Sequence, residues 1–203
     1  MFAAQIAARL GERKVLAFDI GGTTAKVRLI EDFRSQTSRV FEVDRAARFL
    51  KGSGLAVRIP VIEMVEIVAG GGSLARLDAL KRVTVGPQSA SPVPAPVCYN
   101  GGGSDPAVTD ADVALGLIDP TTFAGGTIKL YPDLAKKALK KVISDALRLD
   151  EEMAAYAVYE MVCENVASAA RVHQDQVYAA RQLQRGGGDR IAQRHGPRYS
   201  RLG

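Results

Sequence analysis

The spacing of apolar and polar residues changes near the middle of the chain. In the first half, short apolar runs are separated by polar turns and glycines, which is the pattern of β-strands joined by tight connections. In the second half, apolar residues recur every three or four positions, as they do on one face of an amphipathic helix. The pattern therefore predicts an α/β fold with its strands before residue 88 and its longer helices after residue 110.

Proline, glycine and polar clusters set the boundaries of the individual elements. We expect an opening helix over residues 1–10, which Gly11 ends, and a hairpin over residues 15–30. Residues 88–110 contain several prolines and three consecutive glycines, so they predict a long functional loop. The remaining predictions are strands over 39–43, 73–77 and 82–87, a strand pair or one bent strand over 57–68, and helices over 111–117, 132–149 and 153–173.

The hairpin carries Asp19, Gly21, Gly22, Thr23 and Thr24 at its tip. Glycines allow backbone N–H groups to face outward, so this turn is suited to wrap a phosphate, and the threonines add hydroxyl donors. Asp19 ends the first strand, where its carboxylate can hold a metal-bound water near that phosphate. The alternative is an ordinary hairpin with a glycine turn.

A second glycine segment, Gly70, Gly71, Gly72 and Ser73, follows an apolar strand. Three consecutive glycines lose much backbone entropy on folding, and a chain tolerates them where another backbone or a ligand must come close. We expect this bend to converge with the hairpin tip as one wall of a nucleotide pocket.

The composition is that of a folded protein without a disulfide framework. At 203 residues and 47% hydrophobic, the chain can bury one substantial core or two small ones. The two cysteines, Cys98 and Cys163, are interpreted as reduced thiols of a cytosolic protein. Because no apolar stretch approaches the length of a membrane span, we predict a cytoplasmic protein without a membrane partner.

The net charge of +5 is located mainly in the last thirty residues. Residues 174–203 hold six arginines and two aspartates, a balance of +4, which leaves +1 for residues 1–173. We therefore predict no nucleic-acid partner and a boundary at residue 173, followed by an Arg/Gln/Gly-rich tail that is non-homologous or disordered. An RNA-binding tail is the alternative, although only Tyr178 and Tyr199 could stack on bases.

Several segments resemble, in the same order, those of the hydantoinase A and 5-oxoprolinase family, which includes subunits of acetone and acetophenone carboxylases. The glycine hairpin and the triple-glycine bend are similar to two of its motifs. The loop that ends in Thr109-Asp110-Ala111-Asp112 and the helical segment around Asn165 are similar to two more. The resemblance covers residues 1 to about 173.

This resemblance implies an actin-like ATPase lobe of RNase H-like type, with a mixed sheet and flanking helices. It implies the cofactors ATP and Mg²⁺, and a substrate that is a cyclic amide or a ketone whose oxygen is phosphorylated. A hydrolase of the N-methylhydantoinase or 5-oxoprolinase type is the first expectation, and a ketone carboxylase subunit is an alternative. The expected partners are a B-type hydantoinase subunit or a missing lobe.

The resemblance also implies roles for individual residues. The catalytic residues would be Asp19 and Asp110; the phosphate-binding residues Gly21, Gly22, Thr23, Thr24, Gly70, Gly71, Gly72 and Ser73; the metal ligands Asp19 and Asp112; and the substrate-side residues Glu63, Glu66 and Asn165. Two alternatives remain open. Asp110 and Asp112 could instead cap a helix, and Asn165 could be a hydrogen-bonded core amide.

The chain also departs from the family pattern. Longer members carry an earlier Asp-x-Gly-Gly-Thr segment and a later Phe-Gly-Gly-Ala-Gly-Pro segment, and this sequence has neither. Because nucleotide in this architecture binds between two lobes, we expect a fragment that is inactive alone. The alternative is a noncatalytic remnant or assembly module.

Overall fold

The computed structural model describes residues 2–38, 41–43 and 54–194, and the predicted strand over 39–43 lies partly outside them. The strands are β1 (Lys14–Ile20), β2 (Ala25–Glu31), β3 (Arg34–Ser35), β4 (Thr37–Ser38), β5 (Phe41–Val43), β6 (Leu55–Val57), β7 (Val61–Ile62), β8 (Val65–Ile67), β9 (Ser73–Leu77) and β10 (Val83–Ser89). The helices are α1 (Phe2–Leu10), α2 (Val108–Ala114), α3 (Pro132–Leu139), α4 (Asp145–Leu147) and α5 (Glu151–Arg194). A π-helical segment (Lys140–Ser144) joins α3 to α4, and short 3-10 helices cover Val97–Tyr99 and Phe123–Gly126. The α/β class predicted from the sequence is confirmed.

The main sheet is built around β2. This strand pairs with β1 over its whole length, from Lys14 opposite Glu31 to Ile20 opposite Ala25, and with β3 and β8 on its other side. All strand pairs among the described residues are antiparallel, so the parallel strands of the expected mixed sheet are not found there. For β1 and β2 and for β2 and β3 the physical reason is that a short connection can join only antiparallel neighbours.

The core lies where α5 packs against the strands. One buried cluster joins β9, β10, α2 and the π-helical segment to α5 and includes Leu139, Ile143 and Val158. A second cluster places Ala25 and Val27 of β2 beneath Ala169 of α5. The alternation of buried and exposed residues along β2 is the signature of a strand with one covered face. Both glycine segments begin at the end of this covered sheet.

Several elements differ in their bounds from the sequence predictions. α2 begins at Val108 rather than at residue 111, because the Asp110 carboxylate accepts a hydrogen bond from the Ala107 N–H and so stabilises an earlier first turn. The region predicted as a strand pair or one bent strand over 57–68 overlaps three short strands, β6, β7 and β8. α5 continues beyond residue 173 to Arg194. The domain boundary at residue 173 stays a prediction.

In the described part of the chain, none of the helices combines the length and the apolar character that crossing a membrane requires.

Candidate functional site

The two glycine segments lie against each other, as predicted. The Gly71 N–H donates to the Gly21 carbonyl oxygen at 2.9 Å, and the Gly72 N–H donates to the Gly22 carbonyl oxygen at 2.6 Å. The turn at residues 21–24 and the bend at residues 70–73 are therefore joined backbone to backbone. This pairing fixes the position of the hairpin tip relative to the rest of the domain.

The close approach explains why the bend requires glycine. A Cβ atom added to Gly70 would lie 2.6 Å from the Gly21 carbonyl oxygen and equally close to the Thr23 backbone. A Cβ on Gly72 would lie 2.8 Å from the Gly22 carbonyl oxygen. Because backbone atoms cannot move aside as flexible side chains can, only glycine allows this contact.

The N–H groups of the triple-glycine bend are already occupied. Gly71 and Gly72 donate to the hairpin, the Gly70 N–H donates to the Ser73 Oγ at 2.9 Å, and the Ser73 N–H donates to the Gly70 carbonyl oxygen at 2.9 Å. The sequence predicted that these groups would supply a second set of phosphate donors. In this structure they support the hairpin tip instead, and a phosphate contact from them stays a prediction.

The hairpin tip keeps its own donors available. Among the described residues, none accepts a hydrogen bond from the N–H groups of Gly22, Thr23 or Thr24. Gly22 and Thr23 are exposed, and a Cβ added to Gly22 would meet no atom within 4 Å. A turn whose N–H groups have no acceptor in the protein can offer them to an anion.

Charged residues cross the sheet beside this tip. Asp19 of β1 lies opposite Lys26 of β2, and Lys26 lies opposite Glu66 of β8. Because directly opposed residues of antiparallel strands share a face, these three lie in one row on the face away from α5. Asp19 and Glu66 are exposed, and Glu63 is half-buried just before β8. The structure thus brings two predicted site carboxylates to either side of one lysine.

Asp110 lies in a different environment from Asp19. Its carboxylate is fully buried and accepts hydrogen bonds from the N–H groups of Cys98 at 2.6 Å, Ala107 at 2.7 Å and Val97 at 3.2 Å. These contacts attach the proline-rich loop to the start of α2. The geometry favours the capping alternative over a catalytic carboxylate, because all the contacts are to backbone groups of the protein itself.

Thr109 contacts the triple-glycine bend and was not among the predicted site residues. Its Oγ1 donates to the Gly71 carbonyl oxygen at 2.8 Å, and its N–H donates to the same oxygen at 2.8 Å. The start of α2 therefore supports the triple-glycine bend, which in turn supports the hairpin tip. The available signal was the position of Thr109 directly before Asp110 in a segment already selected by resemblance.

Asp112 is half-buried on α2, and burial raises the pKa of its carboxyl to about 6 from 3.8. Among the described residues, no group of three or more histidine, cysteine, aspartate or glutamate side chains is arranged to hold a metal ion. The raised pKa means that Asp112 is mostly uncharged below a pH of about 6. Its role as a metal ligand stays a prediction.

The raised pKa gives Asp112 a signature in the pH dependence of stability. Because the folded-state pKa lies above the unfolded value, the protein is more stable when Asp112 is protonated, and this stability is lost as the pH rises from about 4 to about 6. Asp112→Asn should therefore raise the free energy of unfolding at pH 7 by about 1 kcal/mol, after solvent screening is allowed for, and leave it unchanged below pH of about 4. Urea denaturation across this pH range measures the difference.

Asp119→Asn is a matched control for that experiment. The hydroxyl and N–H of Thr121 hold the pKa of exposed Asp119 below its usual value, which is the opposite direction. Ionised Asp119 therefore adds to the free energy of unfolding at neutral pH, and this contribution decreases as the pH falls. The substitution should not stabilise the protein at pH 7. Equal stability profiles for Asp112→Asn and the parent chain would contradict the assignment of a raised pKa to Asp112.

A cavity of about 450 Å³ lies next to the glycine bends. Its lining residues come from the end of β8 and the following segment, from Gly86 and Pro87, and from α5: Ile67, Val68, Ala69, Val85, Gly86, Pro87, Asn165, Ser168, Ala169 and Val172. Ala69 directly precedes Gly70, so the cavity adjoins the bend that holds the hairpin tip. Asn165 is half-buried and lines this cavity, which places one predicted substrate-side residue at an apolar pocket with a polar end.

Both cysteines are free thiols. Cys98 is buried, and this burial raises the pKa of its thiol far above the usual range, with the negative charge of Asp110 adding to the effect. Cys163 is exposed on α5. A thiol held neutral in this way is a packing residue and not a nucleophile, so Cys98 is left out of the candidate chemistry.

Comparisons with known proteins agree with the motifs. The sequence model of a family described as hydantoinase/oxoprolinase matches residues 1–188. The acetophenone carboxylase gamma subunit of Aromatoleum aromaticum is 37% identical over 174 residues, covering 84% of this chain and 22% of that protein. The caprolactamase subunit alpha of Pseudomonas jessenii is 34% identical over 166 residues, covering 82% of this chain and 23% of that protein.

Solved structures show the same relationship. A nucleotide-free acetone carboxylase, from work on ATP-dependent acetone carboxylation, superposes with a TM-score of 0.71 at 29% identity over 83% of this chain. The ATP-dependent caprolactamase of Pseudomonas jessenii superposes with a TM-score of 0.70 at 32% identity over 84% of this chain. In both cases the match covers 23% of the other chain. The chain thus spans about a quarter of the length of these relatives.

Proposed function

This chain belongs to the hydantoinase/oxoprolinase family, and from that premise we propose that it is the phosphate-binding part of an ATP-dependent enzyme acting on a cyclic amide. In this function, the γ-phosphoryl group of ATP is transferred to the carbonyl oxygen of the substrate, and the bond to ADP breaks. Water then attacks the carbonyl carbon, the ring C–N bond breaks as the nitrogen takes up a proton, and a second water releases inorganic phosphate from the acyl phosphate that remains. The part of the chain that does this work is an actin-like ATPase lobe.

One observation carries the proposal: two backbone hydrogen bonds from the triple-glycine bend hold the hairpin tip, while no described residue accepts a hydrogen bond from the N–H groups of the tip. The N–H groups of Gly22, Thr23 and Thr24 are then the donors for phosphate oxygens. A preorganised set of donors stabilises the negative charge of the phosphoryl group in the transition state of its transfer without having to reorganise. The Gly70–Gly72 bend acts through the hairpin and positions it.

Mg²⁺ fits this site in a restricted sense. In protein sites this ion takes one or two carboxylates and completes its shell with water and substrate phosphates, so a single exposed Asp19 beside the hairpin tip is a suitable ligand. When bound, the ion would neutralise phosphate charge. Lys26, opposite Asp19 on the same face, adds a second positive charge near the phosphates.

The cavity beside the bend is the proposed place of the substrate. Its mostly apolar lining suits the carbon skeleton of a small ring, and the Asn165 amide can donate to a carbonyl oxygen. Glu66 lies on the sheet face away from α5, whereas α5 lines the cavity, and neither Glu66 nor Glu63 is among the lining residues, so their substrate-side roles stay predictions. A ketone offers the same carbonyl oxygen, and the acetone and acetophenone carboxylases among the relatives favour it as the second candidate substrate.

Calorimetric titration with Mg-ATP tests the proposal. We expect binding at micromolar affinity when the chain is mixed with a polypeptide that supplies the missing lobe, and weaker or no binding without it. Gly22→Ala should weaken Mg-ATP binding about tenfold or more, because its methyl group enters the space meant for a phosphate. The same substitution leaves the protein's own packing unchanged, since no atom lies within reach of that methyl group.

Ser104→Ala is a suitable control because Ser104 is exposed in the long loop and belongs to neither glycine segment. It should bind Mg-ATP as the parent chain does. Absence of binding both alone and with the missing lobe would favour the noncatalytic assembly module. Equal binding by Gly22→Ala and the parent chain would place the nucleotide elsewhere.

A further inference from the structure

Two N–H groups of the hairpin tip belong to peptide groups whose carbonyl oxygens accept hydrogen bonds from the triple-glycine bend. The Gly22 N–H shares its peptide group with the Gly21 carbonyl oxygen, which accepts from the Gly71 N–H at 2.9 Å. The Thr23 N–H shares its peptide group with the Gly22 carbonyl oxygen, which accepts from the Gly72 N–H at 2.6 Å. These peptide groups are trans and therefore planar, with C=O and N–H pointing in opposite directions. A contact at the oxygen thus fixes the direction of the N–H.

A series of such contacts leads from Thr109 to the Thr23 N–H, and we call it the Thr109 series. The Thr109 Oγ1 and N–H each donate to the Gly71 carbonyl oxygen at 2.8 Å. That oxygen shares its peptide group with the Gly72 N–H, which donates to the Gly22 carbonyl oxygen. The start of α2 is therefore connected to the Thr23 N–H through two peptide groups, each of which is held at its oxygen.

A separate series, the Ala90 series, leads to the Gly22 N–H. Its hydrogen bonds are, in order, Ala90 N–H to the Gly72 oxygen at 2.7 Å, Ser73 N–H to the Gly70 oxygen at 2.9 Å, and Gly71 N–H to the Gly21 oxygen at 2.9 Å. Every donor in this series is a backbone group, whereas the Thr109 series begins in part at a side-chain hydroxyl. A substitution at residue 109 can therefore change one series while the other keeps all its donors.

Hydrogen bonds that follow one another in this way strengthen each other. A donor at a carbonyl oxygen polarises the peptide group, so the N–H of the same group becomes a stronger donor, and the effect is larger where the local dielectric constant is low. Thr109 is only 6% exposed, so its hydroxyl donates in a place from which water is largely excluded. Loss of this hydroxyl should weaken the Gly72 N–H as a donor and loosen its contact with the Gly22 carbonyl oxygen.

We propose that Thr109 is a positioning residue for phosphate binding, whose hydroxyl orients and polarises the Thr23 N–H through the peptide groups of the triple-glycine bend and the hairpin tip. The inference rests on the proposed function, because it takes a phosphate oxygen as the acceptor of the Thr23 N–H. It adds to that function a side chain that acts through the bend and not on the ligand. The end of the proline-rich loop thereby adjusts the affinity of the hairpin tip for phosphate.

Three substitutions separate the hydroxyl from the rest of the side chain. Thr109→Val removes the hydroxyl and keeps the size and branching, whereas Thr109→Ser keeps the hydroxyl and removes the methyl group. Thr84→Val is the matched control, because the Thr84 Oγ1 also donates to a backbone carbonyl oxygen, that of Arg76 at 3.2 Å, which belongs to neither series. Circular dichroism checks that each variant keeps the secondary structure of the parent chain, and Thr109→Ala replaces Thr109→Val if the latter does not fold.

Amide hydrogen exchange in the chain without ligand, followed by NMR, tests the Thr109 series by itself. We expect Thr109→Val to speed exchange of the Gly72 N–H by about threefold to tenfold, the effect of losing one hydrogen bond, and to change exchange of the Gly71 N–H less. Thr109→Ser and Thr84→Val should exchange at the parent rates. Parent-like exchange of Gly72 in Thr109→Val would overturn the proposal, and so would equal acceleration at Gly71 and Gly72, which indicates a general loosening of the bend.

Titration with inorganic tripolyphosphate tests the consequence for phosphate binding. The amide signals of Gly22 and Thr23 report on the hairpin tip directly, and NMR detects even weak binding to it. We expect the Kd of Thr109→Val to be about threefold to tenfold higher than that of the parent chain, and the Kd values of Thr109→Ser and Thr84→Val to equal the parent value.

The two possible failures of this titration are distinguishable. A parent chain whose tip signals do not respond to tripolyphosphate would overturn the proposed phosphate site and the inference together. A parent chain that binds, with Thr109→Val binding equally well, would overturn the inference alone. Equal weakening in Thr109→Ser and Thr109→Val would also overturn it, because the loss would then come from the packing of the side chain and not from its hydroxyl.

Discussion

Gly70→Ala should lower the free energy of unfolding by about 3 kcal/mol, the effect expected when an added methyl group is forced into backbone atoms. The new Cβ would lie 2.6 Å from the carbonyl oxygen of Gly21 and from the backbone of Thr23. The hairpin tip must then separate from the bend, which breaks the hydrogen bonds from Gly71 and Gly72. Urea denaturation followed by circular dichroism measures the loss.

Gly22→Ala is the matched control for Gly70→Ala. The two glycines belong to the two segments in contact, yet a Cβ on Gly22 would meet nothing within 4 Å. Its free energy of unfolding should stay within about 0.5 kcal/mol of the parent value. Similar losses in both variants would mean that the two bends are not packed against each other in solution.

Asp110→Ala should be at least as destabilising, by about 3 to 5 kcal/mol, because it removes the acceptor of three backbone N–H groups. Those of Cys98 and Ala107 are buried and would have no replacement partner. The proline-rich loop would detach from the start of α2. Chemical denaturation gives the magnitude, and Asp110→Asn should lie between Asp110→Ala and the parent because it keeps one acceptor oxygen.

Asp105→Ala, in the same loop, provides the comparison for Asp110→Ala. Its carboxylate forms a half-exposed ion pair with Arg76 at 2.9 Å, so its loss should change the free energy of unfolding by less than about 1 kcal/mol. A stable Asp110→Ala protein that lost all turnover in the mixture with the missing lobe, where the parent chain turns over, would instead support the catalytic role first predicted for Asp110. An unstable one supports the capping role.

The sequence predicted best those features that depend on residues within a single segment. The hairpin over 15–30 was predicted because its alternating residues and glycine turn act within one segment, and β1 and β2 confirm it. The triple glycine was likewise correctly interpreted as a point of close backbone approach. The family followed from motifs in a fixed order, and the profile match over residues 1–188 confirms it.

Predictions were weaker where a residue's role depends on its environment. Asp110 and Asp19 are both aspartates next to glycine-rich or proline-rich segments, yet one is fully buried under backbone donors and the other is exposed. Thr109 supports Gly71 across a separation of 38 residues, and no local pattern encodes such a contact. The pattern of apolar and polar residues within a segment does not predict a role that depends on burial or on a distant partner.

The amino-acid sequence by itself determined the class of fold, the positions of the two glycine bends and the family, because each follows from residue order and backbone preference. The tertiary structure alone decided which N–H groups remain available to a ligand. The packing of one glycine bend on the other occupies the donors of Gly71 and Gly72 and leaves those of Gly22 and Thr23 without an acceptor among the described residues. An N–H group acquires its acceptor only when distant segments meet. The sequence of either bend alone could therefore not tell which N–H groups are bonded within the protein and which have no acceptor there.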